Sequence, residues 1–199
     1  MKKSTLAFAV SVLAISIPQL NVQASDVVAG RAAFETCRGC HSIPAYSNAY
    51  PTYYVPKIGG QRADYVVSAL KAYREKNRPH GTMKANSYDL SDQTIENIAA
   101  YIETAPGKET KSPAGGDPAA GKKLAQSCLG CHAEGNDAQN NVPRLAGQYG
   151  NYLVKAMQDY QSGKRNNPVM QSMLQGLSGD DLENISAYFA SLKGLTNTD

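Results

Sequence analysis

Apolar side chains recur at intervals of three and four residues in several segments, a spacing that predicts amphipathic helices. Two such helices, over 62–75 and 149–161, would each present their apolar residues on one face. Two more open at Ser91 and Ser178, where a serine hydroxyl can cap the first turn. No segment shows a convincing alternation of apolar and polar residues. The pattern therefore predicts an all-α fold.

Each half of the chain adds a first helix, capped by Asp26 or Asp117, which runs into a cysteine-containing motif. The residues after the first motif, 42–60, are rich in Pro, Gly and Tyr and predict a loop. A small domain with so much loop has a thin apolar core. We therefore expect another group to fill the centre of each domain.

The two halves are copies of one another. Shifting the sequence by 87 positions overlays 55–105 on 142–192 with 17 identities in 51 positions. Between the copies, 106–116 is rich in Pro, Gly and Lys and predicts an exposed linker. The sequence therefore predicts an N-terminal domain at 25–105 and a C-terminal domain at 117–199.

The first 24 residues predict a secretory signal peptide. Two lysines precede an apolar run over 6–17, and Val22 and Ala24 stand at the positions that a signal peptidase reads, with cleavage after Ala24. The apolar run is shorter than the roughly 20 residues of a membrane span, although an uncleaved anchor is the alternative. We therefore expect residues 1–24 to be removed and the mature protein to lie in the periplasm.

Charge argues against nucleic acid as a partner. The chain has 20 Lys and Arg against 17 Asp and Glu, and loss of the two signal-peptide lysines leaves a net charge of +1. No run of basic residues marks a nucleic-acid surface. The stretch 71–84 is more basic than its counterpart 158–171, which predicts a docking site for an acidic partner on the first domain. A solvated helix face is the alternative.

Two C-x-x-C-H motifs carry the chemistry of the chain. This pattern is the attachment signature of c-type haem, in which two thiols form thioethers and the histidine faces the iron. A shared zinc site would place the cysteine pairs about 15–20 residues apart, and disulfides would not require the histidine. The motifs therefore predict two covalently bound haem c groups. Their residues are Cys37, Cys40 and His41, and Cys128, Cys131 and His132.

The repeat also indicates the second axial ligand of each iron. Met83 overlays Met170, whereas His80 overlays Asn167 and Met173 has no methionine partner. We expect Met83 and Met170 to be the ligands, in loops that follow the haem motifs, with His80 and Met173 in reserve. Histidine plus methionine leaves the iron no vacant position, which favours an electron carrier over an enzyme.

These motifs, with the repeated segments VPKIGGQ and VPRLAGQ, resemble the cytochrome c4 family of dihaem proteins with two tandem class I cytochrome c domains. The resemblance covers 25–199 and implies a periplasmic electron carrier. Its partners would be a quinol-oxidising cytochrome complex, a terminal oxidase or a dehydrogenase, with peripheral membrane association left open. The alternative is that the chain is, or accepts electrons within, a dihaem oxidoreductase resembling thiosulfate dehydrogenase or a peroxidase. The thiosulfate enzymes are associated with an axial cysteine, and no cysteine here is spare.

The resemblance also implies roles for residues outside the motifs. The carbonyl groups of Pro56 and Pro143 should accept a hydrogen bond from the second nitrogen of each histidine. Two repeated arginines, Arg78 and Arg165, either pair with haem propionates or are solvated. A glycine in each first helix should let it cross the last helix closely. These contacts join Gly30 and Phe34 to Tyr101, and Gly121 and Leu124 to Tyr188.

Overall fold

The computed structural model describes residues 24–105, 107–135 and 138–199. The predicted signal peptide lies outside these residues apart from Ala24, so its removal stays a prediction. Within the described ranges, no helix is long and apolar enough to cross a membrane. The described residues form two helical domains in tandem, as the sequence predicts.

The first domain contains four helices and one short hairpin. They are α1 (Val27–His41), β1 (Ser47–Asn48), β2 (Tyr53–Tyr54), α2 (Ala63–Arg74), α3 (Gly81–Ser87) and α4 (Asp92–Thr104). The predicted caps of α1 and α4 are confirmed. The Asp26 carboxylate accepts from the backbone N–H groups of Val28 and Ala29, and the Ser91 hydroxyl accepts from that of Thr94.

The second domain repeats these helices with one break. Its helices are α5 (Pro118–Leu124), α6 (Leu129–His132), α7 (Gly150–Gln161), α8 (Pro168–Leu174) and α9 (Gly179–Ser191). A 3₁₀ turn over Ala125–Ser127 separates α5 from α6, so two short helices replace the single α1 of the first domain. Asp117 and Ser178 cap α5 and α9 as predicted.

The first and last helices of each domain cross at a glycine. An added Cβ at Gly30 would lie 3.1 Å from the Tyr101 Cβ, and one at Gly121 would lie 3.0 Å from the Tyr188 Cβ. Beyond the crossing, the Phe34 and Tyr101 rings pack with their centroids 5.3 Å apart. The crossings expected from the sequence are therefore confirmed, and they hold the core of each domain beside its cysteine motif.

Short strands depart from the helical pattern at two places. The hairpin β1–β2 lies inside the stretch 42–60 that was predicted to be an irregular loop. It is held against the second domain, where the Tyr54 ring packs on the Tyr149 ring at 5.1 Å. The second pair joins β3 (Gly107–Lys108) to β4 (Asn197–Thr198). Each strand has two residues, too short to show an alternating pattern in the sequence.

The segment 195–199 ends the second domain and also packs against the first. Thr196 bridges to Gly59, and Asn197 is 2% exposed. The Asn197 side-chain amide donates to the His41 carbonyl oxygen at 3.1 Å. The Asn197 oxygen accepts from the Tyr149 and Thr110 hydroxyl groups at 3.0 Å each. This segment therefore joins both domains to the end of the first haem motif.

A buried lysine fastens the linker region to both domains. The Lys57 side chain is 1% exposed, and its ammonium group donates to the Thr110 carbonyl oxygen, the Ser112 hydroxyl and the Gly147 carbonyl oxygen at 2.6–2.9 Å. The ammonium group also lies 4.7 Å from the centre of the Tyr149 ring. Burial lowers the pKa of Lys57 to about 8. Three oxygen acceptors and an aromatic face therefore replace its water shell.

Candidate functional site

The first cysteine motif occupies the last turns of α1. Cys40 and His41 lie three and four residues after Cys37, and residues at these spacings are neighbours on a helix surface. Cys37 also packs against the core around Phe34. None of the four cysteines, all of which lie in the described residues, forms a disulfide, and burial raises the pKa of the Cys37 and Cys128 thiols. Paired cysteines beside an imidazole fit the covalent attachment of haem c.

The second motif reaches the same arrangement despite the break before it. The Cys128 N–H donates to the Ala125 carbonyl at 2.9 Å, which closes the 3₁₀ turn. The His132 N–H then donates to the Cys128 carbonyl at 2.9 Å, so the motif forms one helical turn. The local geometry of the C-x-x-C-H motif is therefore maintained by its own backbone hydrogen bonds.

The two motif histidines are oriented alike. His41 and His132 are each 7% exposed. Their Nδ1 atoms lie 2.8 Å from the Pro56 carbonyl oxygen and 2.9 Å from the Pro143 carbonyl oxygen, which confirms the expected contacts. Burial lowers the pKa of both imidazoles and favours their neutral form. With the proton on Nδ1, each ring keeps its Nε2 lone pair for a metal.

Met83 and Met170 lie on short helices, which corrects the prediction that they lie in loops. Both are half-buried, on α3 and α8. The Met83 N–H donates to the His80 Nδ1 at 3.2 Å, and the Met170 N–H donates to the Asn167 side-chain oxygen at 3.1 Å. A capping side chain three residues earlier therefore fixes each methionine in the first turn of a helix. Asn167 followed by Pro168 is a readable helix start that the sequence analysis missed.

The reserve ligands are placed less favourably. His80 uses both ring nitrogens, because Nδ1 caps α3 and Nε2 lies 2.8 Å from the Tyr53 hydroxyl. Met173 is 44% exposed on α8. Among the described residues, no three His, Cys, Asp or Glu side chains converge on a metal site. The repeated methionines therefore remain the better candidates for the second axial ligand.

Two arginines lie in a group of tyrosines between the domains. Arg78 donates to the Tyr65 and Tyr152 hydroxyl groups at 3.1 Å each, and Arg165 donates to the Tyr152 hydroxyl at 3.4 Å. Burial would raise the pKa of Tyr152, but the charges of Arg165 and Arg78 outweigh it and lower that pKa to about 8. The Arg78 Nε is buried without a hydrogen-bond partner. These arginines are therefore not simply solvated, and their surroundings suit an anion.

The basic stretch 71–84 is less available than its composition suggests. The Lys71 ammonium group lies 2.8 Å from the Asp92 carboxylate, and the Arg74 guanidinium lies 2.7 Å from it. Arg78 points into the tyrosine group between the domains. Sequence counting missed Asp92 because it lies on α4, outside the stretch. The Asp92 carboxylate therefore offsets one positive charge of this stretch and pairs with two of its basic side chains, so the predicted positive docking field is weaker than counting suggests.

Comparison with known proteins covers both copies of the repeat. The cytochrome c family model matches residues 27–106 and 118–193. The cytochrome c4 of Pseudomonas aeruginosa is 49% identical over 198 residues, which cover 90% of this chain and 95% of that protein. The thiosulfate dehydrogenase electron acceptor of Stutzerimonas stutzeri is 26% identical over 171 residues, which cover 78% of this chain and 78% of that protein. The structure of reduced cytochrome c4 from Pseudomonas stutzeri superposes with a TM-score of 0.66 at 28% identity, over 85% of this chain and 100% of that one.

Proposed function

Because this chain belongs to the cytochrome c4 family, we propose that it carries electrons in the periplasm through two haem irons held by repeated histidine and methionine ligands. The covalent attachment points of the two haem c groups are Cys37, Cys40, Cys128 and Cys131. The proposed axial pairs are His41 with Met83 and His132 with Met170. When bound, each haem supplies a reversible one-electron redox centre.

Contacts within the protein orient both motif histidines for metal binding. Each Nδ1–H donates to a proline carbonyl, which selects one tautomer and restrains the ring. This hydrogen bond also raises the basicity of the opposite nitrogen. Methionine, as a neutral thioether, would complete the ligand set and favour ferrous iron relative to a second histidine. Two protein ligands for each iron would leave no position for a substrate, and the paired histidine contacts with Pro56 and Pro143 are the observation that supports this ligand set.

The group of tyrosines between the domains is the proposed location of haem carboxylates. Arg78 and Arg165 place two positive charges among phenol hydroxyl groups, and the Arg78 Nε has no partner among the described atoms. A propionate would satisfy that donor and balance a buried charge. The same contact would bring the two redox centres towards the domain boundary, so that an electron could pass between them.

The partner is proposed at the level of chemical class. A quinol-oxidising cytochrome complex would donate, and a terminal oxidase or a periplasmic dehydrogenase would complete the transfer. A second role, as the electron-accepting subunit of a dihaem oxidoreductase, is supported by the likeness to a protein named as a thiosulfate dehydrogenase electron acceptor. In both roles the chain itself transfers electrons and does not transform a substrate.

The axial ligands are tested by replacing one methionine at a time. Met83→Ala and Met170→Ala should each remove the methionine–iron absorption of one haem and open that haem to cyanide or carbon monoxide. Met173→Ala is the matched control, because Met173 lies on the same helix as Met170 but is exposed. It should leave both haems closed. Ligand binding in the Met173 variant, or an unchanged spectrum in the Met83 variant, would contradict the assignment.

A further inference from the structure

One peptide group connects the first haem motif to the second domain. The carbonyl oxygen of Pro56 accepts from the His41 Nδ1–H at 2.8 Å. The N–H of the same peptide, that of Lys57, donates to the Gln148 side-chain oxygen at 2.9 Å. The Gln148 amide nitrogen then donates to the Lys57 carbonyl oxygen at 2.8 Å. Gln148 therefore binds, from the other domain, the peptide that orients His41.

The second haem motif has the mirror arrangement. The Pro143 carbonyl oxygen accepts from the His132 Nδ1–H at 2.9 Å, and the N–H of Arg144 donates to the Gln61 side-chain oxygen at 2.9 Å. The Gln61 amide nitrogen donates to the Arg144 carbonyl oxygen at 3.1 Å. Each glutamine therefore pairs with one backbone segment of the opposite domain as a short strand would, with one bond in each direction.

Both glutamines are held rigidly in place. Gln61 is 5% exposed and Gln148 is 4% exposed. Each side-chain oxygen accepts a further bond at 3.0 Å from the next backbone N–H, that of Arg62 or Tyr149. Each glutamine also follows a glycine at φ +78° or +75°, a conformation that other residues rarely adopt. The repeat preserves the Gly-Gln pair in both copies, so the cross-domain contact is built by the same local turn twice.

Hydrogen bonds through one peptide group reinforce each other. An amide whose N–H donates becomes a better acceptor at its carbonyl oxygen. A stronger hydrogen bond from the histidine Nδ1–H to this carbonyl increases the electron density on the imidazole ring. The opposite nitrogen, Nε2, then donates more strongly to the iron, which stabilises the ferric state. We propose that Gln148 is a positioning residue that lowers the potential of the first-domain haem, and that Gln61 does the same for the second-domain haem. The inference rests on His41 and His132 being the haem ligands proposed above.

A purely structural role for the glutamines would be to hold the two domains together. That role requires only that they bind some group across the domain boundary. Here each glutamine accepts from the N–H of the very peptide group whose carbonyl accepts from the histidine. The predicted effect is therefore crossed: a change in one domain shifts the redox centre of the other.

The test compares Gln148→Met and Gln61→Met in the full-length dihaem protein. Methionine keeps the length of the side chain and removes the acceptor. A redox titration followed by ¹H NMR reports each haem separately. In the Gln148 variant, the reduced-to-oxidised ratio of the first-domain haem at a fixed ambient potential should rise about two- to tenfold, the range set by losing part or all of one hydrogen bond. The second-domain haem should stay within twofold, and the Gln61 variant should show the reverse. The His41 Nδ1–H signal of the reduced protein should also move upfield in the Gln148 variant, as its bond weakens.

Asn151→Ala is the control for a weakened boundary. The Asn151 side-chain oxygen accepts from the Tyr54 N–H across the domains at 3.3 Å, but it contacts neither histidine nor its carbonyl acceptor. This variant should change thermal stability without a shift confined to one haem. Gln148→Asn and Gln61→Asn are the second pair of variants, for the case that Gln148→Met or Gln61→Met fails to fold. They keep the amide but shorten its reach, and the same crossed shift is expected.

Shifts of both haems together, a shift in the domain that carries the mutation, or no shift would each overturn the proposal. Failure of the ligand assignment is distinguishable from these results. In the reduced wild-type protein, the ring protons of His41 and His132 should be strongly shifted by the haem ring current, and their absence would reject the ligands themselves.

Discussion

Replacing Gly30 by alanine should destabilise the first domain, because α1 and α4 touch at that residue. An added Cβ would lie 2.5 Å from the Asn97 carbonyl carbon and 3.1 Å from the Tyr101 Cβ, and closer still to the Asn97 carbonyl oxygen. Ordinary contacts between carbon and a carbonyl oxygen are about 3.3–3.6 Å. The obstacle is the backbone of a packed helix and cannot turn aside as a flexible side chain would. One helix must therefore move by about an ångström or more.

The expected loss follows from two opposing effects. Overpacking a well-packed core costs about 1–3 kcal/mol and occasionally more. The rigid carbonyl group places Gly30→Ala at the upper end of that range. Alanine in a helix interior recovers about 1 kcal/mol relative to glycine. We therefore expect a net loss of about 2 kcal/mol, which lowers the melting temperature by about 4–8 °C in a chain of this length.

Gly179→Ala, at the start of α9 and outside both cysteine motifs, is the control. An added Cβ at Gly179 meets no atom within 4 Å, so alanine is added there without a clash. Thermal unfolding of both dihaem variants, followed by far-ultraviolet circular dichroism, gives the comparison. Gly30→Ala should melt below wild type, and Gly179→Ala should melt at or slightly above it. Equal melting temperatures for the two variants would refute the argument from close helix contact.

Two further predictions concern polar groups buried at the boundary between the domains. Asn197→Ala should lower the free energy of unfolding by about 1–3 kcal/mol, because it leaves the His41 carbonyl without its amide donor; denaturant unfolding measures this, and an unchanged midpoint would contradict it. Lys57 has a pKa of about 8 in the folded protein and 10.5 when unfolded, so between these values the unfolded chain binds more protons and stability should rise with pH. The wild type should therefore gain stability relative to Lys57→Met from pH 8 to pH 10, by up to about 3 kcal/mol at 1.36 kcal/mol per pKa unit. A constant difference between the two proteins over that range would show that the ammonium group keeps its ordinary pKa.

Local signals predicted most of what lies within one copy of the repeat. The caps at Asp26 and Ser91 and the two cysteine motifs depend on residues close in sequence or on a duplicated pattern, whereas the glycine crossing at Gly30 was expected only from the family resemblance. The axial methionines were selected by the overlay alone, and their assignment stays a prediction. Their helices were missed because a seven-residue helix shows too little periodicity, although the cap at Asn167 was readable.

Contacts between the copies could not be predicted in the same way. Arg78 meets Tyr152, and Gln61 meets the backbone of Arg144, across sequence separations of 74 and 83 residues. The overlay marked these residues as repeated, but a repeat does not state whether a residue faces its own core or its twin. The pairing of Asp92 with Lys71 was hidden for a similar reason, since it depends on how two helices pack.

Because of segment 195–199, the two copies are completed at different times during synthesis of the chain. The residues synthesised after the whole second copy supply Thr196 beside Gly59 and Asn197 beside His41. A chain emerging from its N-terminus therefore presents the first haem motif long before the groups that cover it exist. The second motif has no such delay, because the helices α7 and α9 that pack around it follow it directly. The two copies are therefore alike in sequence but differ in the order of assembly. The first domain is synthesised first, yet its contacts with Thr196 and Asn197 can form only after the last residues of the chain have been made.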